Sequence, residues 1–169
     1  MVSRQARCFA SVIVALVLWT ALPAAAAHPV YRASPDGPAI DGYDVVAYFT
    51  VGRPVKGSPL FRHFWQDTEW HFSSEAHRDL FVADPERYAP QFGGYCAYAL
   101  SRSRLYEGNP EVFAIEDGKL YFNNNSAVME RWRSAPDPFI DAARNAYPRV
   151  IQTEESRPNS EHAPASASD

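Results

Sequence analysis

Apolar positions along this chain fall into short groups of differing spacing, and the spacing predicts the elements. Phe9 to Leu22 is a largely apolar run. Tyr43–Phe49, behind the Asp41-Gly42 turn signal, is a shorter one and reads as a β-rich or buried segment. Phe61 to Gln66 and Glu69 to Ser73 predict a hairpin turning near Asp67-Thr68. That turn pairs Trp65 with Trp70 and His63 with Phe72. One face then carries Phe61, His63, Trp65, Trp70 and Phe72, and the other Arg62, Phe64, Gln66, Glu69, His71 and Ser73.

The period then lengthens. Ser73 or Ser74 caps a helix with Glu75 in its first turn and a stripe of His77, Leu80 and Phe81. Asp84-Pro85 opens a separate helical turn reaching Tyr88. Gly93-Gly94 can take backbone conformations closed to other residues, or admit another segment closely. Tyr95–Leu100 behind it reads as a strand, with Tyr95, Ala97 and Ala99 on one face and Cys96, Tyr98 and Leu100 on the other. Residues 101–111 form a polar loop. Asp117-Gly118 between Val112–Glu116 and Lys119–Phe122 is the clearest hairpin signal. The run Asn123 to Ser126 caps a helix through Val128, Met129 and Trp132. Asp137-Pro138 starts another, with Phe139, Ile140, Ala143 and Tyr147 inward and a stop at Pro148. The expected class is α+β: one small domain over residues 40–150, with a mixed or antiparallel sheet of short strands packed against about three helices.

The 169 residues suffice for one domain with a real core, rich in aromatics. Residues 1–27 read as a cleaved signal peptide: Arg4 and Arg7, the apolar run, then Pro23 and four alanines. The run is short against the roughly 20 residues of a spanning helix, so no membrane span is expected in the mature chain. Export places the protein in the periplasm or outside the cell. Residues 28–39 read as a flexible leader with three prolines, and residues 151–169, without aromatics, as a disordered tail. A net charge of −4 with no basic stripe argues against nucleic acid as a partner.

Export changes what the cysteines mean. Cys8 leaves with the signal, and Cys96 stays alone in an oxidising compartment, where it has no internal disulfide partner. It is then a buried inert thiol, a reactive thiol, a ligand for a soft metal such as Cu(I), or an intermolecular link. His71 and His77 are the histidines that could join Cys96 on a metal. His63 and His71 sit on opposite faces of one hairpin and cannot share an ion. His77, on the helix stripe, also reads as a satisfied core histidine. His28, at the expected new terminus, offers a Cu(II) chelate, and an ordinary cleavage point explains it as well. Asp41 and Asp44 read as turn and capping residues. No nucleophile elbow or phosphate-binding glycine loop appears, so acid–base catalysis has no support.

Several ordered stretches together resemble the YHS-domain proteins. They are Gly42–Phe49, Trp70–Phe81, Asp84–Tyr88, Tyr88–Ala99 and Asp117–Tyr121, covering roughly residues 40–147. The chain is most similar to their small exported branch. The resemblance implies a domain that binds or senses metal, often through cysteines; with Cys96 as the key donor, the expected ion is a transition metal, copper first. In that branch the matching position is usually cysteine and in some members selenocysteine, which implies chalcogen chemistry there. The cysteine-rich metal motif of the transporter relatives is absent from this sequence, and Phe113 and Tyr147 stand where tryptophans are usual. The resemblance brings no enzymatic activity. Its alternatives are a redox thiol, in which Cys96 cycles through a mixed disulfide or sulfenic acid, and a partner-binding domain with an inert Cys96.

Overall fold

The computed structural model describes Tyr31 and residues 37–155. The signal peptide, His28 and the tail beyond Glu155 lie outside these residues. So does most of the leader, but its Tyr31 is buried, with ring centroids 4.9 Å from Trp70 and 5.4 Å from Trp65.

The elements follow in the order α1 (Ala47–Thr50), β1 (Ser58–Trp65), β2 (Thr68–Phe72), α2 (Glu75–Ala83), α3 (Pro85–Tyr88), α4 (Ala97–Leu100), β3 (Asn109–Glu116), β4 (Lys119–Asn123), α5 (Ser126–Arg133) and α6 (Pro136–Glu155). The class is α+β, and the strands form two separate antiparallel hairpins, β1–β2 and β3–β4. No helix among the described residues is long and apolar enough to cross a membrane.

The first hairpin turns at Gln66-Asp67, both at positive φ, instead of Asp67-Thr68. His63 therefore faces Trp70, and Trp65 faces Thr68. The register differs from the expected one by two residues, and an even shift leaves every side chain on its expected face. Trp70 and Phe72 are buried, and Phe81 of α2 stacks on them at 5.1 and 5.0 Å. Of the α2 stripe, Phe81 goes inward while Leu80, one position back around the helix, is exposed. Ser74 supplies the cap, accepting from the His77 amide at 3.2 Å.

Three expectations are corrected. Tyr43–Phe49 is buried for most of its length, but it ends in a helical turn, not a strand. Tyr95–Leu100 is likewise no strand. Tyr95 and Cys96 make single bridges to Glu107 and Phe122, and the chain then coils into α4. Ala97 and Leu100, good helix formers three apart, share the buried side, a period that the alternating Tyr and Ala pattern had concealed. Finally, α6 runs through Pro148 to Glu155. The inward Ala143, Ala146 and Ile151 are buried on either side of that proline, and their packing offsets its lost amide bond.

Gly93-Gly94 does what its composition allows: both residues have positive φ within the 3-10 segment Gln91–Gly94. Gly108 then passes so close that a Cβ on it would stand 2.4 Å from the Gly94 carbonyl oxygen. The second hairpin forms as expected, with Glu116 opposite Lys119 and a turn at Asp117-Gly118. Its strand β4 is the wall between two cores. Leu120 and Phe122 face Tyr48, Trp70, Phe72 and Phe81, while Tyr121 faces Ala97, Met129 and Trp132.

Candidate functional site

Cys96 sits where the chain leaves the glycine turn and enters α4. Its backbone amide donates to the Tyr106 carbonyl at 2.9 Å, which fixes it against the segment before β3. The side chain is 2 % exposed. Its thiol donates to Oδ1 of Asn123 at 3.5 Å. Asn123, the last residue of β4, is fully buried. The same Oδ1 accepts from the Tyr98 amide at 3.0 Å, and Nδ2 donates to the Met129 sulfur at 3.5 Å. One carboxamide thus anchors the first turn of α4, orients the thiol and contacts a second sulfur. Such a buried group is costly unless satisfied, and here both ends are.

Cys96 forms part of the wall of a cavity of about 210 Å³, together with Tyr98, Ala99, Arg102, Arg104, Tyr106, Asn124 and Val128. Arg102 lies over the Tyr98 ring at 4.8 Å and donates to its hydroxyl at 2.8 Å. A larger cavity, about 620 Å³, lies beside it and shares Arg104 and Tyr106, adding Leu105, Ala146, Arg149 and Val150.

His71 and His77 do not come to Cys96. His71 Nε2 is 2.8 Å from Glu69 Oε1, on the face of the first hairpin opposite His63. His63 packs edge-on against Phe81. His77 belongs to another centre. Its Nδ1 lies 2.6 Å from Oδ2 of Asp44, so Nδ1 carries the proton of that bond. Among the described residues, no three His, Cys, Asp or Glu side chains converge on one point.

Asp44 is the unexpected hub. Fully buried, its Oδ1 accepts from the amides of Val46 at 3.0 Å and Ala47 at 3.3 Å, which caps α1. Its Oδ2 accepts from the Ser73 amide at 2.8 Å, the Ser73 hydroxyl and His77. Thr50 Oγ1 stands 3.2 Å from His77 Nε2, which completes a carboxylate–imidazole–hydroxyl line. The Thr50 hydroxyl also lies 3.0 Å from the Val46 carbonyl, in donating position. The line therefore ties α1 to the start of α2 in place of activating a nucleophile.

The capping role of Asp44 and the satisfied role of His77 were legible in the sequence; their meeting, 33 residues apart, was not. Asn123 was hidden in a run of asparagines that reads as a helix cap. Arg102 and Arg104 were hidden in a loop whose only signal was polarity. No family model matches the chain, and no curated protein or solved structure matches it either.

Proposed function

We propose that the chain is an exported thiol module of YHS type whose working group is Cys96, acting as a redox thiol on a small molecule. The observation that carries this is the placement of Cys96 in the wall of a small arginine-lined cavity with no histidine among its described lining residues. At about 210 Å³ it is smaller than the roughly 300–1,000 Å³ of pockets for drug-sized ligands. A buried packing cysteine has no need of a cavity beside it. In the step proposed, the Cys96 sulfur attacks one sulfur of a disulfide. The old S–S bond breaks, a mixed disulfide forms on Cys96, the other half leaves as a thiolate, and the thiol proton passes to solvent.

A second reading, binding of a soft metal such as copper, is favoured by the Met129 thioether on the far side of Asn123. Thiolate and thioether are donors that suit Cu(I). Because Asn123 contacts both sulfurs, an ion touching both would have to displace its carboxamide. Cys96 with Met129 replaces Cys96 with His71 and His77 as the donor set to test.

One set of samples tests both. The full-length protein carrying Cys8→Ser, in which Cys96 is the sole thiol, is treated with a neutral disulfide in native buffer, and the adduct is weighed by mass spectrometry. The same protein is titrated with Cu(I) beside its Cys96→Ser and Met129→Leu variants. One adduct per native chain supports the redox thiol. A thiol silent until denaturation, without copper binding, overturns both readings. Copper binding lost in both variants moves the assignment to the metal.

A further inference from the structure

The two cavities share walls, and their charge is one-sided. Arg102 and Arg104 line the smaller cavity, and Arg104 and Arg149 the larger. Among the described residues no aspartate or glutamate lines either, on a chain whose net charge is −4. None of the three arginines makes an ion pair among the described residues, unlike Arg62, Arg78 and Arg144. The arginines of the loop are not on a loose segment either. The amides of Arg102 and Arg104 both donate to the Ala99 carbonyl at 3.0 Å, and that of Ser103 donates to Leu100 at 2.8 Å. These bonds make a closed turn directly off α4, the helix that Cys96 begins. Arg149 comes from α6, which packs against α4. The thiol and the backbone that carries the three arginines therefore belong to one packed assembly.

We propose that the two cavities together are the binding cleft for a low-molecular-weight disulfide bearing carboxylates, with its sulfurs at Cys96 and its carboxylates at Arg104 and Arg149. This rests on Cys96 being the reactive thiol proposed above, and it names the substrate class of that site. Guanidinium groups match carboxylates in geometry as well as in charge. A cleft lined by one sign of charge raises the local concentration of the opposite ion and its rate of encounter. The apolar walls from Leu105, Ala146 and Val150 suit the carbon skeleton between the charges and the sulfur. The exchange is the balanced one given above, with the anionic half-molecule left on Cys96 and the other half released as its thiolate.

The test compares two disulfides on the full-length Cys8→Ser protein: dithiobis(nitrobenzoate), which carries two carboxylates, and dithiodipyridine, which is neutral. Each rate is divided by the rate on the same chain denatured, which removes the intrinsic reactivity of the reagents. The native protein is expected to favour the anionic reagent, and Arg104→Gln with Arg149→Gln to cut that preference, read as the ratio of the two normalised rates, about tenfold. Added salt is expected to shrink the preference in the same direction. If the neutral reagent reacts and the preference is absent, or survives loss of both arginines, the cleft inference is overturned while the thiol reading stands. If neither reagent reaches Cys96 in the native state, the thiol reading itself fails, and this inference with it.

Discussion

Replacing Asp44 with Asn removes a charge and almost nothing else, and it should be among the most damaging single changes available to this domain. The carboxylate is fully buried and accepts from five donors on three segments: Val46 N at 3.0 Å, Ala47 N at 3.3 Å, Ser73 N at 2.8 Å, the Ser73 hydroxyl, and His77 Nδ1 at 2.6 Å. Asn keeps one acceptor oxygen and turns the other into a donor. Whichever way the amide rotates, one group of N–H donors then faces another N–H. If the oxygen stays with Ser73 and His77, the α1 amides lose their cap. If it turns, His77 and Ser73 lose theirs. Leaving a buried donor without its acceptor costs about 1–3 kcal/mol per group, so losing two or more of these contacts should cost about 3–5 kcal/mol. Set against a typical total of about 5–15 kcal/mol, that is a large share of the stability. The midpoint of thermal unfolding should fall by about 10–20 °C. Trp70 and Trp132 are almost wholly buried, so tryptophan fluorescence in urea reports the loss directly. Combining Asp44→Asn with His77→Gln should cost clearly less than the sum of the two single changes, because one contact is lost in both. A loss below about 1 kcal/mol in Asp44→Asn, with additivity in the double variant, would show that the hub is not what holds α1 to α2.

Two further predictions concern the thiol and the alkaline limit. Asn123→Ala leaves the Tyr98 amide without its acceptor and the Cys96 thiol without its partner. It should cost about 2–3 kcal/mol and speed disulfide exchange at Cys96, measured by urea unfolding and native labelling; unchanged labelling would argue that Asn123 does not shield the thiol. Tyr31 and Tyr121 have phenol pKa values raised chiefly by burial, and Tyr43 has one raised chiefly by its hydrogen bond to Glu111. Because the folded values lie above the unfolded one, their contribution is complete below about pH 10 and is lost as pH climbs through the folded values. The urea midpoint should therefore drop as pH rises above about 10, and Tyr43→Phe should lose part of that drop. A flat midpoint over that range would refute the assignment.

Local chemistry by itself determined a good deal of this molecule. The Asp117-Gly118 hairpin, the caps at Ser74 and Asn125, the turn begun by Pro85 and the inward faces of α5 and α6 all depend on neighbours within a few residues. The alternation of the first hairpin set its faces even though its turn, placed one residue too late in expectation, set the wrong register. The position of Cys96 just after a glycine pair could also be read, since it is a local fact.

Only the tertiary structure decided the rest. The stretch Tyr95–Leu100 suits a strand or a helix equally, and the amide of Tyr98, captured by Asn123 from another element, settles it as α4. Pro148 should end a helix on local grounds, yet the buried face on either side of it carries α6 onward. Asp44 meets His77, and Cys96 meets Asn123, across 33 and 27 residues. Arg149 joins Arg104 only because α6 packs on α4. Such meetings depend on how cores close around β4, a sum over many weak contacts that no short window of sequence contains.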